Sequence, residues 1–162
     1  MDYFIKANHP LGQLTTLLRL AELSLSLNDD ESMFSYLKKA ETIARKLNEK
    51  HLLAIINSDY GNYYYSKEDL KTAESFYKKA LATLDGEIFR RDVGLISLKL
   101  GEIALKKNNY SEAKRYFEAS FDFDMKTKNK VALSQTFFNF ARLNWLSKNE
   151  ESALKNIVES LD

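Results

Sequence analysis

A forty-residue recurrence governs this chain of 162 residues. Small side chains stand at Ala21, Gly61, Gly101 and Ala141. A second column holds Met33, Ala73, Ala113 and Ala153, a third Leu37, Tyr77, Phe117 and Ile157, and a fourth Ala40, Ala80, Ser120 and Ser160. Polar breaks fall at the same phase: NDDE from Asn28, SKED from Ser66, KNNYS from Lys107 and SKNEE from Ser147. Columns kept in register over successive cycles mark a structural repeat, a unit that buries its apolar face only by stacking on its neighbours.

Each cycle reads as helix, short turn, helix. Ala113, Tyr116, Phe117, Ser120 and Phe121 follow the i, i+3, i+4, i+7, i+8 spacing of one helical face, as do Ala73, Phe76, Tyr77, Ala80 and Leu81. Asp or Asn just before the second helices can cap their free backbone N–H groups. Asp85-Gly86 has the form of a helix C-terminus. The pattern predicts helices over 11–27, 30–48, 51–66, 69–84, 88–107, 110–128, 130–147 and 150–161. A glycine inside a helix costs about 1 kcal/mol against alanine. Gly61 and Gly101 are therefore expected where helix axes cross closely, with Tyr77 and Phe117 filling the adjacent space.

Composition narrows the class. One proline and five glycines favour long helices, and 44% apolar residues supply a core. The absence of cysteine excludes disulfides and thiolate metal sites and fits a reducing, cytoplasmic setting. A net charge of +1 gives no drive toward nucleic acid or an anionic membrane. No apolar run reaches the length of a transmembrane helix, and MDYFIKANHP lacks the form of a signal peptide.

The pattern resembles the tetratricopeptide repeat: a small residue late in the first helix, an alanine early in the second, an aromatic four later, a small residue three after that. Gly61-Ala73-Tyr77-Ala80 and Gly101-Ala113-Phe117-Ser120 match best, whereas Met33 replaces the alanine of the first unit and Ile157 the aromatic of the fourth. The spacing of forty exceeds the usual family length and lengthens the helices. The resemblance implies an all-α fold, a right-handed α-solenoid of four antiparallel helical hairpins. As one solenoid over 1–162, its repeats would cover about 11–49, 50–86, 87–128 and 129–162. Asp2, Tyr3 and Lys6 align with Asp122, Phe123 and Lys126, so residues 1–9 are expected to be the tail of a preceding second helix. With Leu154, Ile157, Val158 and Leu161 on an apolar face at the other end, the expectation is a piece of a longer array.

Catalytic patterns are missing. His9 and His51 have no second histidine or cysteine at ligand spacing, and both read as helix-end residues. Asp122 and Asp124, at i, i+2, do not share a helical face. Gly12, Gly86 and Gly94 are isolated, so no phosphate loop appears, and there is no G-x-S-x-G elbow. The pairs Lys78-Lys79, Arg90-Arg91, Lys106-Lys107 and Lys114-Arg115 alternate with acids and read as solvated surface. Tyr63, Tyr64 and Tyr65 spread over about 200° of a helix and cannot form one stacking platform. No enzyme activity, cofactor or metal is implied.

The remaining candidate is a groove lined by the first helices of the hairpins. The resemblance places Leu18, Ser58, Leu98 and Phe138 on it as one ladder, and Arg19, Asp59, Lys99 and Asn139 as the next. Glu22, Asn62, Glu102 and Arg142 form a third, and Leu25, Tyr65, Leu105 and Trp145 a fourth. Glu22, Asp59 and Glu102 would repel a carboxylate terminus, which argues against the clamp used by chaperone adaptors of the family. Asp59, Asn62, Tyr65, Lys99, Glu102, Phe138, Arg142 and Trp145 are the expected peptide-binding residues, with Trp145 as the anchor. The leading expectation is a scaffold holding a peptide or helical segment of another protein, without nucleic acid or membrane. Two alternatives stand beside it: a sensory or regulatory region of a larger signalling or transcription-regulating protein, and a homo-oligomer formed through the open C-terminal end.

Overall fold

The structure, a computed structural model, describes residues 9–84, 90–128 and 130–148 together with Lys155, Val158 and Glu159. It divides into two compact units, Met1–Leu84 and Asp85–Asp162. The first holds α1 (Pro10–Ser26), α2 (Asp30–Leu47), α3 (Lys50–Ser66) and α4 (Leu70–Thr83). The second holds α5 (Arg90–Lys106), α6 (Tyr110–Thr127) and α7 (Lys130–Leu146). Among the described residues there is no strand, and the fold is of the all-α helical-hairpin, solenoid class. The expected helix tail over 1–8, the Asp85-Gly86 turn and most of the expected helix over 150–161 lie outside the described residues.

Three hairpins carry the architecture: α1 with α2, α3 with α4, and α5 with α6. Within the first unit α3 stacks on α2 and touches α1; within the second, α7 stacks on α6 and touches α5. One turn design closes each hairpin. Asn28, Glu68 and Asn108 adopt positive φ of 56°, 61° and 58°. The next residue then sends its N–H five residues back, Asp29 to the Ser24 carbonyl, Asp69 to Tyr64 and Asn109 to Ala104. This left-handed C-terminal motif satisfies carbonyls that the helix end leaves open. The same three residues then cap the following helix. Asp29 Oδ1 accepts from Ser32 N, Asp69 Oδ1 from Thr72 N and Asn109 Oδ1 from Glu112 N. A three-residue link thus ends one helix and starts its antiparallel partner.

The core follows the columns. Met33, Leu37 and Ala40 on α2, Ala73, Tyr77 and Ala80 on α4, and Ala113, Phe117 and Ser120 on α6 are all buried. Gly61 lies against the ring of Tyr77 and Gly101 against that of Phe117, and Ala21 and Ala141 are buried as well. Met33, the departure from alanine, is accommodated without exposure.

Candidate functional site

First helices carry the expected binding residues, and each unit is organised separately. In the first, Asp59, Asn62 and Tyr65 are half-buried on α3. Asn62 is already engaged, its Oδ1 accepting from Tyr77 Oη at 2.7 Å. No hydrogen bond or ion pair reaches Asp59 among the described residues. Its carboxyl is pushed up to about 7, chiefly by burial and secondly by the negative charge of Glu22, while Arg19 opposes the shift. Arg19 instead pairs with Glu22 at 3.0 Å on α1. The side chain of Asp59 keeps a strip of accessible surface, yet protein mass encloses it on most sides.

In the second unit, Lys99 Nζ meets Glu102 Oε2 at 3.0 Å on α5. Arg142 donates to Asn139 Oδ1 at 3.3 Å and lies 6.0 Å from the centre of the Phe138 ring. Phe138 is 55% exposed and Trp145 65% exposed, although both are large and apolar. With Arg142 between them they make one stripe on α7, at i, i+4 and i+7.

The ladders do not run as open surface throughout. Leu98 and Leu105 are buried in a cluster with Leu143, Ala113 and Phe117, and Leu18 and Leu25 pack against the core of the first unit. These four leucines join the cores of their own units, because an aliphatic side chain gains more by burial than by lining water. Ser58, Tyr65, Phe138 and Trp145 keep exposed or partly exposed positions in the same columns.

Several polar contacts had no counterpart in the sequence reading. Tyr63 Oη and Lys67 Nζ both reach Asp30 Oδ2 at 3.0 Å, tying α3 back to the start of α2. Thr136 Oγ1 donates to Asp124 Oδ2 at 2.9 Å inside the second unit, where burial raises the Asp124 carboxyl. Such pairs join residues far apart in the chain, so no local motif announces them. Tyr63 and Tyr64 pack with Phe34 and Phe76 in an aromatic cluster. His9 caps α1, its Nδ1 accepting from Gly12 N. No cluster of metal-ligating side chains occurs among the described residues, and no helix there is long and apolar enough to cross a membrane.

Comparison with known proteins bears on this geometry. The crystal structure of BtubC (BKLC) from P. vanneervenii superposes with a TM-score of 0.80 at 16% identity over 96% of this chain. That likeness shows the fold, and the chain spans 65% of the length of that protein. No curated protein matches the sequence significantly. The model of the family described as anaphase-promoting complex subunit 5 matches residues 1–67 and 101–162. With most of its length covered by that match, the chain belongs to the anaphase-promoting complex subunit 5 family.

Proposed function

We propose that this chain is a non-catalytic scaffold, tetratricopeptide-like in its hairpins, whose first helices hold a segment of another protein. The observation that carries the reading is the α7 stripe, where Phe138 and Trp145 remain more than half exposed around Arg142. Exposed Trp, Phe and Arg on a rigid helix are the side chains that dominate protein interfaces. Membership of a family described as a subunit of a complex supports the same reading. Lys99, Glu102 and Arg142 supply charge beside the stripe, while Asp59, Asn62 and Tyr65 are the contacts assigned to α3. The carboxyl of Asp59 lacks a cation of its own, so a lysine or arginine of the bound segment fits there.

The test is a display library of helical and extended peptides, selected on the wild-type chain and re-measured on a Tyr65→Ala, Trp145→Ala double variant. Peptides selected on the wild type are expected to lose at least about tenfold in affinity. Equal affinity for both proteins would remove these residues from the interface.

A further inference from the structure

We infer that α7 is seated on α6 by a polar joint, Ser120, Asp124 and Thr136, which loosens as Asp124 ionises, so that α7 opens ahead of the rest of its unit as pH rises. The inference concerns the free chain. Only its consequence for binding rests on the scaffold reading, because α7 carries Phe138, Arg142 and Trp145.

The joint stands out against its counterpart. Two forty-residue cycles earlier, the positions of Ser120, Asp124 and Thr136 hold Ala40, Ala44 and Ile56. Those three belong to the apolar core of the first unit, Ala40 and Ala44 from α2 and Ile56 from α3. In the second unit Ser120 and Asp124 of α6 and Thr136 of α7 are just as buried, at 2%, 4% and 0% exposure, yet all three are polar. Thr136 Oγ1 donates to Asp124 Oδ2 at 2.9 Å, and the Ser120 hydroxyl bonds the same carboxyl. A carboxyl thus stands between α6 and α7 where the first unit has an alanine methyl.

Ionisation works against this joint in three ways. Water that would solvate the charge has little access to it. Two hydroxyl donors replace only part of that hydration, so burial outweighs them and holds the carboxyl above its ordinary 3.8. Asp124 also stands in the last turn of α6, where its carbonyl accepts from Lys128 N, and the carbonyl end of a helix disfavours negative charge. The ionisable groups on the elements packed around it are Asp122, Lys126 and Lys128 toward the end of α6, Arg91 and Asp92 at the start of α5, and Lys130 at the start of α7. Burial and the two hydroxyls set the carboxyl, and none of these charges offsets them.

The native state therefore keeps a proton that an opened state releases. Seating of α7 is firmest at low pH and weakens as pH rises through the Asp124 titration. The loss is local, because α5 and α6 still close on each other as a hairpin when α7 lifts. An opened α7 no longer holds Phe138 and Trp145 at a fixed distance from Lys99 and Glu102 on α5.

The experiment is amide hydrogen exchange on the free 162-residue chain, read residue by residue from about pH 5 to about pH 8 and corrected for the intrinsic rate. Wild-type α7 is expected to be less protected than α5 and α6, with a gap that widens as pH rises. Asp124→Asn keeps the shape and an acceptor for Thr136, so its gap should not vary with pH. A Ser120→Ala, Asp124→Ala, Thr136→Ile variant restores the residues of the first unit and should protect α7 about tenfold more than wild type at the upper end of the range. Carbon-13 titration should place the Asp124 midpoint above 3.8. Equal protection of α5, α6 and α7 at every pH overturns the inference, as does a wild-type gap that stays flat or narrows with rising pH, or a midpoint at or below 3.8. If the triple variant packs poorly, the Asp124→Asn comparison still decides. Loss of selected peptides by the Tyr65→Ala, Trp145→Ala variant with a flat gap leaves the scaffold reading and removes the joint. A widening gap with no peptide effect does the reverse.

Discussion

The ring of Phe117 lies directly on the backbone of Gly101: a Cβ at that glycine would come within 2.6 Å of Phe117 Cδ1. Gly61 and Tyr77 repeat the relationship forty residues earlier, at 2.8 Å from Tyr77 Cδ1. Phe117 and Tyr77 are fully buried, so neither ring can swing into solvent. Alanine at Gly101 would gain about 1 kcal/mol of helix propensity. Displacing a packed ring works against that gain, since overpacking typically costs about 1–3 kcal/mol. Gly101→Ala is expected to lower stability modestly, and Gly101→Leu or Ala113→Leu by the full range, in urea unfolding. Adding Phe117→Leu should recover part of the loss in Gly101→Ala; no recovery would place the strain elsewhere.

How far the sequence announces the fold depends on which force acts. The columns were legible because a small residue meets a ring at two crossings forty residues apart, Gly61 with Tyr77 and Gly101 with Phe117, and helix bounds read from periodicity differ by two residues or fewer from those in the structure wherever both ends are described. Gly94 was not legible in the same way. It looked isolated, but a Cβ there would meet Phe123 Cδ1 at 2.8 Å, so α5 and α6 approach closely at a second point. Its column reads Leu14, Ala54, Gly94 and Ser134, too varied to stand out.

Turn conformation was only half legible. Asn28 and Asn108 suit the left-handed region, but Glu68 does not, and it sits at φ 61°. A non-glycine residue there costs roughly 1–2 kcal/mol, reduced for asparagine by local hydrogen bonding. Glu68→Gly is expected to raise stability by about 0.5–1 kcal/mol, less than the full strain because glycine also frees the unfolded chain, and Glu68→Asn, which only eases the left-handed conformation, by less still. Thermal unfolding measures both; a loss with glycine would show that Glu68 makes a contact worth more than its backbone strain.

Asn109 works in both directions at the start of α6. Its Oδ1 accepts from Glu112 N at 3.3 Å, and its Nδ2 donates to Glu112 Oε2 at 2.9 Å. Asn109→Ala is expected to cost about 1 kcal/mol. Asn109→Asp keeps the acceptor but sets a carboxylate against Glu112, so it should recover less than the cap alone supplies. An Asn109→Asp variant as stable as wild type would show that the bond to the Glu112 carboxylate contributes nothing.

The candidate site was legible as residue types and not as environments. Nothing local marks Leu98 and Leu105 for burial while Phe138 and Trp145, in the same columns, stay exposed. Leu98 and Leu105 are buried by residues of other helices, Ala113, Phe117 and Leu143, which lie outside any local window. The state of Asp59 likewise depends on Glu22 of a different helix.

Asp59 gives the pH dependence its sign. Its carboxyl titrates near about 7 in the folded chain, against the ordinary 3.8. Between those values the native state binds a proton that the unfolded chain has released. Stability from this group is therefore greatest at low pH and falls as pH rises through that window, levelling off above about pH 7. One pKa unit corresponds to about 1.4 kcal/mol, and residual contact with water reduces the whole effect to something on the order of 2 kcal/mol. Asp59→Asn removes the titration while keeping the shape. The variant should be more stable than wild type at pH 8, with the difference shrinking steadily toward pH 4. Other carboxylates cancel in the comparison, so paired urea titrations across that range isolate Asp59. A difference that stays flat, or that grows on acidification, would mean the carboxylate is satisfied in the folded protein by a cation. The binding of a basic segment should act in the same direction as that cation. It would lower the pKa of Asp59 and couple affinity to pH, with tighter binding above pH 7 than at pH 5.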